Sequence, residues 1–427
     1  MSETPGKASR NPVSYPAVFA GLMVLWPIVS LLGAQGMTPL LGLAALAALA
    51  YGPLPKPSML LGLFILLVGW VSLSTAWSPA REGPFISGSL AEGNFAIKVS
   101  AFRLAGIALA TLLALGAMLS SPAQPRRAGA FIAAIFALHL AMIAITPPLL
   151  APGLSLMYET QIEAQRDGMQ NVLRYANALA LALPVLLAMA WSRGGATRIA
   201  GLAGAIVATL VFAWLGSAAA VLAVILMTAC IAIVAALPRN GFRVIFTGLA
   251  AMVVAAPGLA HVARLLDSLD LAIPLSFQSR IWAWQAVGEK LAEKPVTGHG
   301  LEAASTWRET YATRPEWLAD AVARGGVEAA WLRYPLIPSH PHNMPLEVWA
   351  ETGAIGALLM AGALFALGLR LPSPAEMPAR MRIGAAGLTG SALAIASVSY
   401  STWNEAFWAS LALASLSLIV VARAERV

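Results

Sequence analysis

Apolar runs of roughly twenty residues, parted by short polar punctuation, make up most of this chain. A bilayer core of about 30 Å takes roughly 20 residues of helix, and a helix pairs its own backbone groups where no water can. On that ruler twelve spans are predicted, at about 16–34, 37–52, 58–77, 100–119, 128–146, 173–191, 198–215, 217–237, 241–260, 344–369, 382–400 and 403–422. The second is short, and the seventh and eighth nearly touch at Gly216-Ser217. The first run shows no small-residue cleavage site and reads as a retained span behind a polar 1–15 tail.

Composition agrees with the pattern. With 59% hydrophobic and 11% charged residues over 427, the chain is an integral membrane protein of all-α class, not a set of soluble domains. Its net charge of +7 comes in ones and twos between apolar runs, so no nucleic-acid surface is expected. Cys230 is the single cysteine, which excludes a disulfide or a thiolate metal cluster within one chain.

The basic residues instead report orientation. Lys7 and Arg10 lie before the first span. Lys56, the pairs Arg126/Arg127, Arg193/Arg198 and Arg239/Arg243, then Arg370/Arg380/Arg382, fall in alternate connections, and Arg423 and Arg426 follow the last span. Short connections near Gln35, Gly216 and Thr402 carry neither lysine nor arginine. Both termini are therefore expected on the cytoplasmic side. The domains read as a tail to 15, spans over 16–260, one large outer loop at 261–343, spans over 344–422 and a tail at 423–427. Within the loop, Arg280 to Leu291 has helical apolar spacing and is predicted to lie along the membrane surface, with two short helices after it.

Chemistry concentrates at the end of that loop, in Ser339-His340-Pro341-His342-Asn343-Met344-Pro345-Leu346-Glu347, followed by Glu351, Gly353 and Gly356. Pro341 disfavours helix at His340, and Asn343 suits the N-cap of a helix starting at Met344. Glu347 and Glu351 fall one turn apart on one face, where a carboxylate needs a partner or a wet cavity. Gly353 and Gly356 are expected to permit close helix packing. The plain alternative is a capped helix with structural carboxylates. His340-Pro341-His342 is a poor metal pair, since the proline sets the imidazoles awkwardly and no cysteine or His-Glu-x-x-His helix accompanies them; no metal or cofactor is expected. Arg166, Arg174 and Arg280 offer planar forks suited to phosphate oxygens, or else simply solvated charge. No nucleotide-binding loop or nucleophile elbow is present.

The pattern His342-Asn343-x-x-Leu346-Glu347-x-x-x-Glu351-x-Gly353-x-x-Gly356 resembles the hallmark of the O-antigen ligase and polymerase superfamily, as does Arg280-x-Trp282 leading to Gly298-x-Gly300. Arg174-Tyr175-Ala176-Asn177 is similar to that family's entry to a central span. The resemblance implies transfer of O-antigen glycan from an undecaprenyl-diphosphate carrier to a hydroxyl of lipid A-core at the periplasmic face of the bacterial inner membrane, with inversion and without metal. It also implies Arg174 and Arg280 on diphosphate, with Arg166 in reserve, and His342 on the acceptor hydroxyl. Asn177, Asn343, Glu347 and His340 are supporting candidates. One departure is Gly216-Ser217-Ala218, where family members often carry a Ser-Arg pair. A glycan polymerase shares the same constellation, and a secondary transporter is the reading from another class.

Overall fold

The computed structural model describes residues 13–32, 34–52, 57–80, 86–87, 96–97, 100–121, 126–157 and 168–423. Lys7, Arg10, Lys56, Arg166, Arg426 and most of both tails lie outside the described residues. Every predicted span is helical. In chain order the helices are α1 (Tyr15–Leu32, broken by 3-10 turns), α2 (Ala34–Ala48), α3 (Met59–Ser74), α4 (Ser100–Ser120), α5 (Arg126–Met157), α6 (Met169–Arg193), α7 (Gly195–Trp214) and α8 (Ala218–Ala236). Then follow α9 (Gly241–Ala255), α10 (Leu259–Ser268), α11 (Leu275–Glu293), α12 (Pro315–Ala323), α13 (Glu328–Trp331), α14 (Met344–Arg370), α15 (Ala379–Val398) and α16 (Glu405–Arg423). A two-residue antiparallel pair, Ile86–Ser87 with Ala96–Ile97, stands between α3 and α4.

Eleven of the described helices are long and apolar enough to cross a membrane, with α9 and α10 counted as one run of 28 residues, Gly241–Ser268. α2 is shorter, and packs through buried Leu40, Leu41 and Ala44 into the core formed with α4 and α16. The centre of the bundle is α6, buried without interruption from Tyr175 to Val185 and packed by α5, α7, α15 and α16.

The helix ends sort into two groups. Arg423 donates to the carbonyls of Met118, Leu119 and Ser121, Arg380 donates to Ala422 O, and Ala375 N and Ser373 Oγ donate to Pro238 O. At the opposite end meet the 295–302 segment, the start of α14 and the α15–α16 linker.

Three expectations need correction. The span ending near 260 continues through a 3-10 turn at Ala256–Gly258 into α10, so the large loop starts on a helix. α11 begins five residues before Arg280, and its apolar face is covered by protein: Trp282, Ala286, Val287 and Leu291 pack with Tyr311, Trp317, Leu336 and Ile337. Burial against these aromatics gives the same helical periodicity that a membrane surface would. Gly353 permits close approach of the 296–298 backbone rather than of another helix, and it breaks α14, with φ 65° and ψ −168°, a region essentially closed to other residues.

That break is filled by backbone. His299 N and Gly300 N donate to Ala350 O and Glu351 O at 2.9 and 2.8 Å, while Ala354 N and Ile355 N donate to Pro295 O and Val296 O. Indoles take the carbonyls left over: Trp70 Nε1 donates to Thr352 O at 2.9 Å and Trp77 Nε1 to Gly298 O at 3.2 Å. A Cβ on Gly353 would strike Val296 and Gly298 backbone, whereas one on Gly362, further along α14, would meet nothing. Gly353→Ala should therefore lower stability by at least about 1–3 kcal/mol, while Gly362→Ala should be neutral or slightly stabilising. Thermal unfolding of the purified variants in detergent checks the contrast; equal midpoints would show that the break is not held as described.

Candidate active site

Asn343 caps α14 as its residue type suggests, its Oδ1 accepting from Leu346 N at 3.0 Å. Just before it, Ser339 and His342 adopt left-handed backbone, φ 61° and 51°. Strain of this kind persists only where surroundings fix it. His342 Nδ1 lies 3.0 Å from Ser399 O and His340 Nε2 lies 3.3 Å from the same carbonyl, with the two rings 4.2 Å apart. A carbonyl only accepts, so the His342 proton sits on Nδ1 and Nε2 is its basic nitrogen. Burial, then the charges of His340 and Arg280, bring the His342 imidazole down to about 4, against the opposing bond to Ser399.

Arg280 comes to the same place from α11. Asp267 at the end of α10 accepts from Gln278 and Trp282 on Oδ1, at 2.6 and 3.0 Å, and from Gln285 on Oδ2 at 3.0 Å. These donors at helical spacing hold one face of α11, and Trp284 Nε1 donates to Pro341 O at 2.9 Å, tying the helix to the histidine segment. Arg280 and His342 then line one cavity of about 460 Å³, with Ser276, Ser279, Tyr311, Trp331 and Tyr334. Arg280 Nη1 donates to Ser276 O at 2.6 Å, and the guanidinium lies 5.5 Å from the Phe277 ring centre. Its Nε is buried and has no partner among the described residues. Burial pulls the Arg280 pKa down, with Tyr334 opposing. An anion placed here would relieve both the desolvated charge and the orphan donor.

The other candidates arrange themselves around this cavity. Glu347, 1% exposed, accepts from Ser401 Oγ at 2.7 Å and from Thr402 N and Oγ1 at 2.6 and 2.9 Å, so it fixes the linker whose Ser399 carbonyl holds both histidines. Asn343 Nδ2 reaches Ser397 O at 3.5 Å. Asn177 approaches from α6, donating to Ser399 Oγ at 3.1 Å. Arg174, one turn before it and already inside the helix, is exposed, bonds Asn171 Oδ1 at 3.1 Å and is not among the residues that line the cavity. Burial pushes the Tyr400 phenol up to about 12, with Asn177 and the Arg174 charge pulling it back. Arg280 and His342 are thus brought together, Asn177 joins them through Ser399, and Arg174 is not among the residues that line their cavity. Arg166 lies outside the described residues.

Residues 178–361 match the family model for the O-antigen ligase. This chain carries an O-antigen ligase family domain. No curated protein and no solved structure matches it. The O-antigen ligase domain takes in α11, the 298–300 turn and α14 through the break, and with them Arg280 and His342. It stops short of the α15–α16 linker and starts just after Asn177. The match supports a membrane glycosyltransferase of the ligase or polymerase type.

Sequence reasoning missed Ser399, Asp267 and the aromatic wall of Tyr311, Trp331 and Tyr334. A carbonyl leaves no mark in sequence, and tryptophans and tyrosines in an outer loop are ordinary interfacial anchors until the fold closes them round a cavity. Glu351 was legible as a buried carboxylate but not as what it is. It is fully buried and accepts from Glu302 N at 2.5 Å, Ala304 N at 3.0 Å and Trp403 Nε1, joining the loop and the linker to α14. Glu351→Gln sets an amide NH₂ against donors, and should cost about 1.5–3 kcal/mol in unfolding measurements. A variant as stable as the parent would show that these bonds contribute nothing.

Proposed function

We infer that the protein transfers an O-antigen glycan from undecaprenyl diphosphate to a hydroxyl of lipid A-core. The observation that carries this is the meeting of Arg280, half-buried and with an unpartnered Nε, and a proton-accepting His342 in one cavity. In the reaction the acceptor oxygen attacks the anomeric carbon, the bond from that carbon to the diphosphate oxygen breaks, and the electron pair leaves with the diphosphate. The hydroxyl proton passes to His342 Nε2. Arg280 stabilises the negative charge that develops on the leaving group, an interaction stronger in the transition state than before it. Ser399, held by Glu347 and Asn177, keeps the histidine in the tautomer the step needs. Attack opposite the leaving group inverts the anomeric centre. No resident metal has a part in this scheme. The alternate placing of basic connections supports a periplasmic site with cytoplasmic termini.

Transport deserves comparison because a discontinuous helix is a transporter device. In this chain the break in α14 is occupied by the protein's own 295–300 backbone, which leaves no site there for a solute. Polymerase chemistry would use the same residues, and the acceptor decides between them. Purified protein supplied with lipid-linked glycan and lipid A-core should make product on the core; extension of glycan on the carrier alone would make it a polymerase.

In that assay His342→Ala should abolish transfer while donor still binds, and transfer at the parent rate would remove the histidine from the mechanism. Arg280→Lys keeps the charge but loses the fork, and should raise donor KM and lower kcat. Folding lowers the His342 pKa from the ordinary 6.5 to about 4, so the unfolded chain binds more protons between those values and stability falls as pH drops from 6.5 toward 4. The neutral imidazole nonetheless persists through that window in the folded protein. The acid limb of the transfer rate should therefore lie near 4; a limb centred at 6.5 would speak against His342 as the base.

A further inference from the structure

One wall of the cavity has no part in the scheme above. Besides Arg280 the cavity is lined by Tyr311, from the 3-10 turn Tyr311–Thr313, by Trp331 at the end of α13 and by Tyr334 just after it. Tyr311 is fully buried, edge-on to Trp331 with ring centres 4.7 Å apart, and Trp331 lies 5.2 Å from Tyr334. Tyr334 keeps 43% of its surface exposed. The Tyr311 hydroxyl is buried yet has no hydrogen-bond partner among the described residues. Burial also raises its pKa, so it stays protonated and able to donate as well as accept.

A buried hydroxyl without a partner is a standing cost that a ligand's polar atom can remove. The chemistry of the two walls narrows that ligand. A bare diphosphate would not use aromatic faces, whose quadrupole presents negative charge. An isoprenoid tail is apolar on every side and would leave Arg280 Nε and the Tyr311 hydroxyl unpaired. A pyranose ring has an apolar C–H face and a rim of hydroxyls, and so fits an aromatic wall facing hydrogen-bonding groups. The cavity's volume of about 460 Å³ is in the range of small-molecule sites.

We propose that this cavity is a sugar subsite, in which the pyranose joined to the diphosphate lays its C–H face on Tyr334 and Trp331 and exchanges a hydrogen bond with the Tyr311 hydroxyl. The proposal rests on Arg280 as the diphosphate ligand. It makes Tyr311 and Tyr334 determinants of donor-sugar choice, since a site that pairs a sugar hydroxyl discriminates against a sugar lacking it.

The test uses the full chain in lipid nanodiscs. Glucose 1-phosphate, galactose 1-phosphate, N-acetylglucosamine 1-phosphate, the methyl glycosides of these sugars and inorganic phosphate are titrated, with saturation-transfer NMR on the sugar ring protons. At least one sugar phosphate should bind about tenfold more tightly than inorganic phosphate. Tyr311→Phe, which removes only the unpartnered oxygen and keeps the packing, should erase about tenfold of that gain while leaving inorganic phosphate unchanged. Tyr334→Ala should remove saturation from the ring protons. Sugar phosphates that bind no better than inorganic phosphate, or a Tyr311→Phe variant identical to the parent, would overturn the sugar subsite. If inorganic phosphate fails to bind while methyl glycosides still bind in a Tyr311-dependent way, the subsite stands and the diphosphate role of Arg280 falls.

Discussion

A backbone amide or carbonyl left unpaired in apolar surroundings is among the costliest defects a membrane protein can carry. α14 opens such a defect at Gly353 and closes it with another part of the chain, the 295–300 segment, together with the indoles of Trp70 and Trp77. That exchange docks the outer loop. Because the bonds are backbone to backbone at two or three successive positions, they fix register as well as proximity. Pro295 lies two residues past the end of α11, and His342 lies about three turns before the break. The two groups of the site are thus set by one junction from opposite sides of it.

Carboxylates complete what the backbone begins. Glu351 reaches across the junction to the 302–304 turn and to Trp403, and Glu347, one turn away, takes the 401–402 linker. Neither lines the cavity. Each converts a loop of ordinary surface residues into a fixed strut, and the Ser399 carbonyl inherits that fixity. The histidine's tautomer, and so which nitrogen can take a proton, is decided by a backbone oxygen more than fifty residues away.

How much of this could be read beforehand differs by residue. Spans are written in apolar length, and each predicted run is a helix, with α2 the short one as its sixteen-residue run suggested. The Asn343 cap and the inward Glu347 were also legible, because residue type and position near a helix end restrict both strongly. What sequence could not supply was partnership. Glu351 looks like a functional carboxylate until Glu302 N, Ala304 N and Trp403 are placed around it. The face of α11 that carries Trp282 and Val287 reads as a membrane surface until Tyr311, Trp317 and Ile337 cover it. Gly353 and Gly356 read alike in a motif, yet only Gly353 has a backbone that another residue would not adopt.

Arg174 shows where the limit lies. Its residue type suits diphosphate, but residue type does not say what a helix position meets once its neighbours pack. Asn177 donates to Ser399 Oγ, and Arg174, three residues earlier on the same face of α6, acts together with Asn177 on Tyr400 of the same linker. Arg280 lines one cavity with His342, whereas Arg174 is exposed and is not among the residues that line it. On the proposed function a diphosphate bound by Arg280 would face His342 across that cavity, and Arg174 would act from outside it.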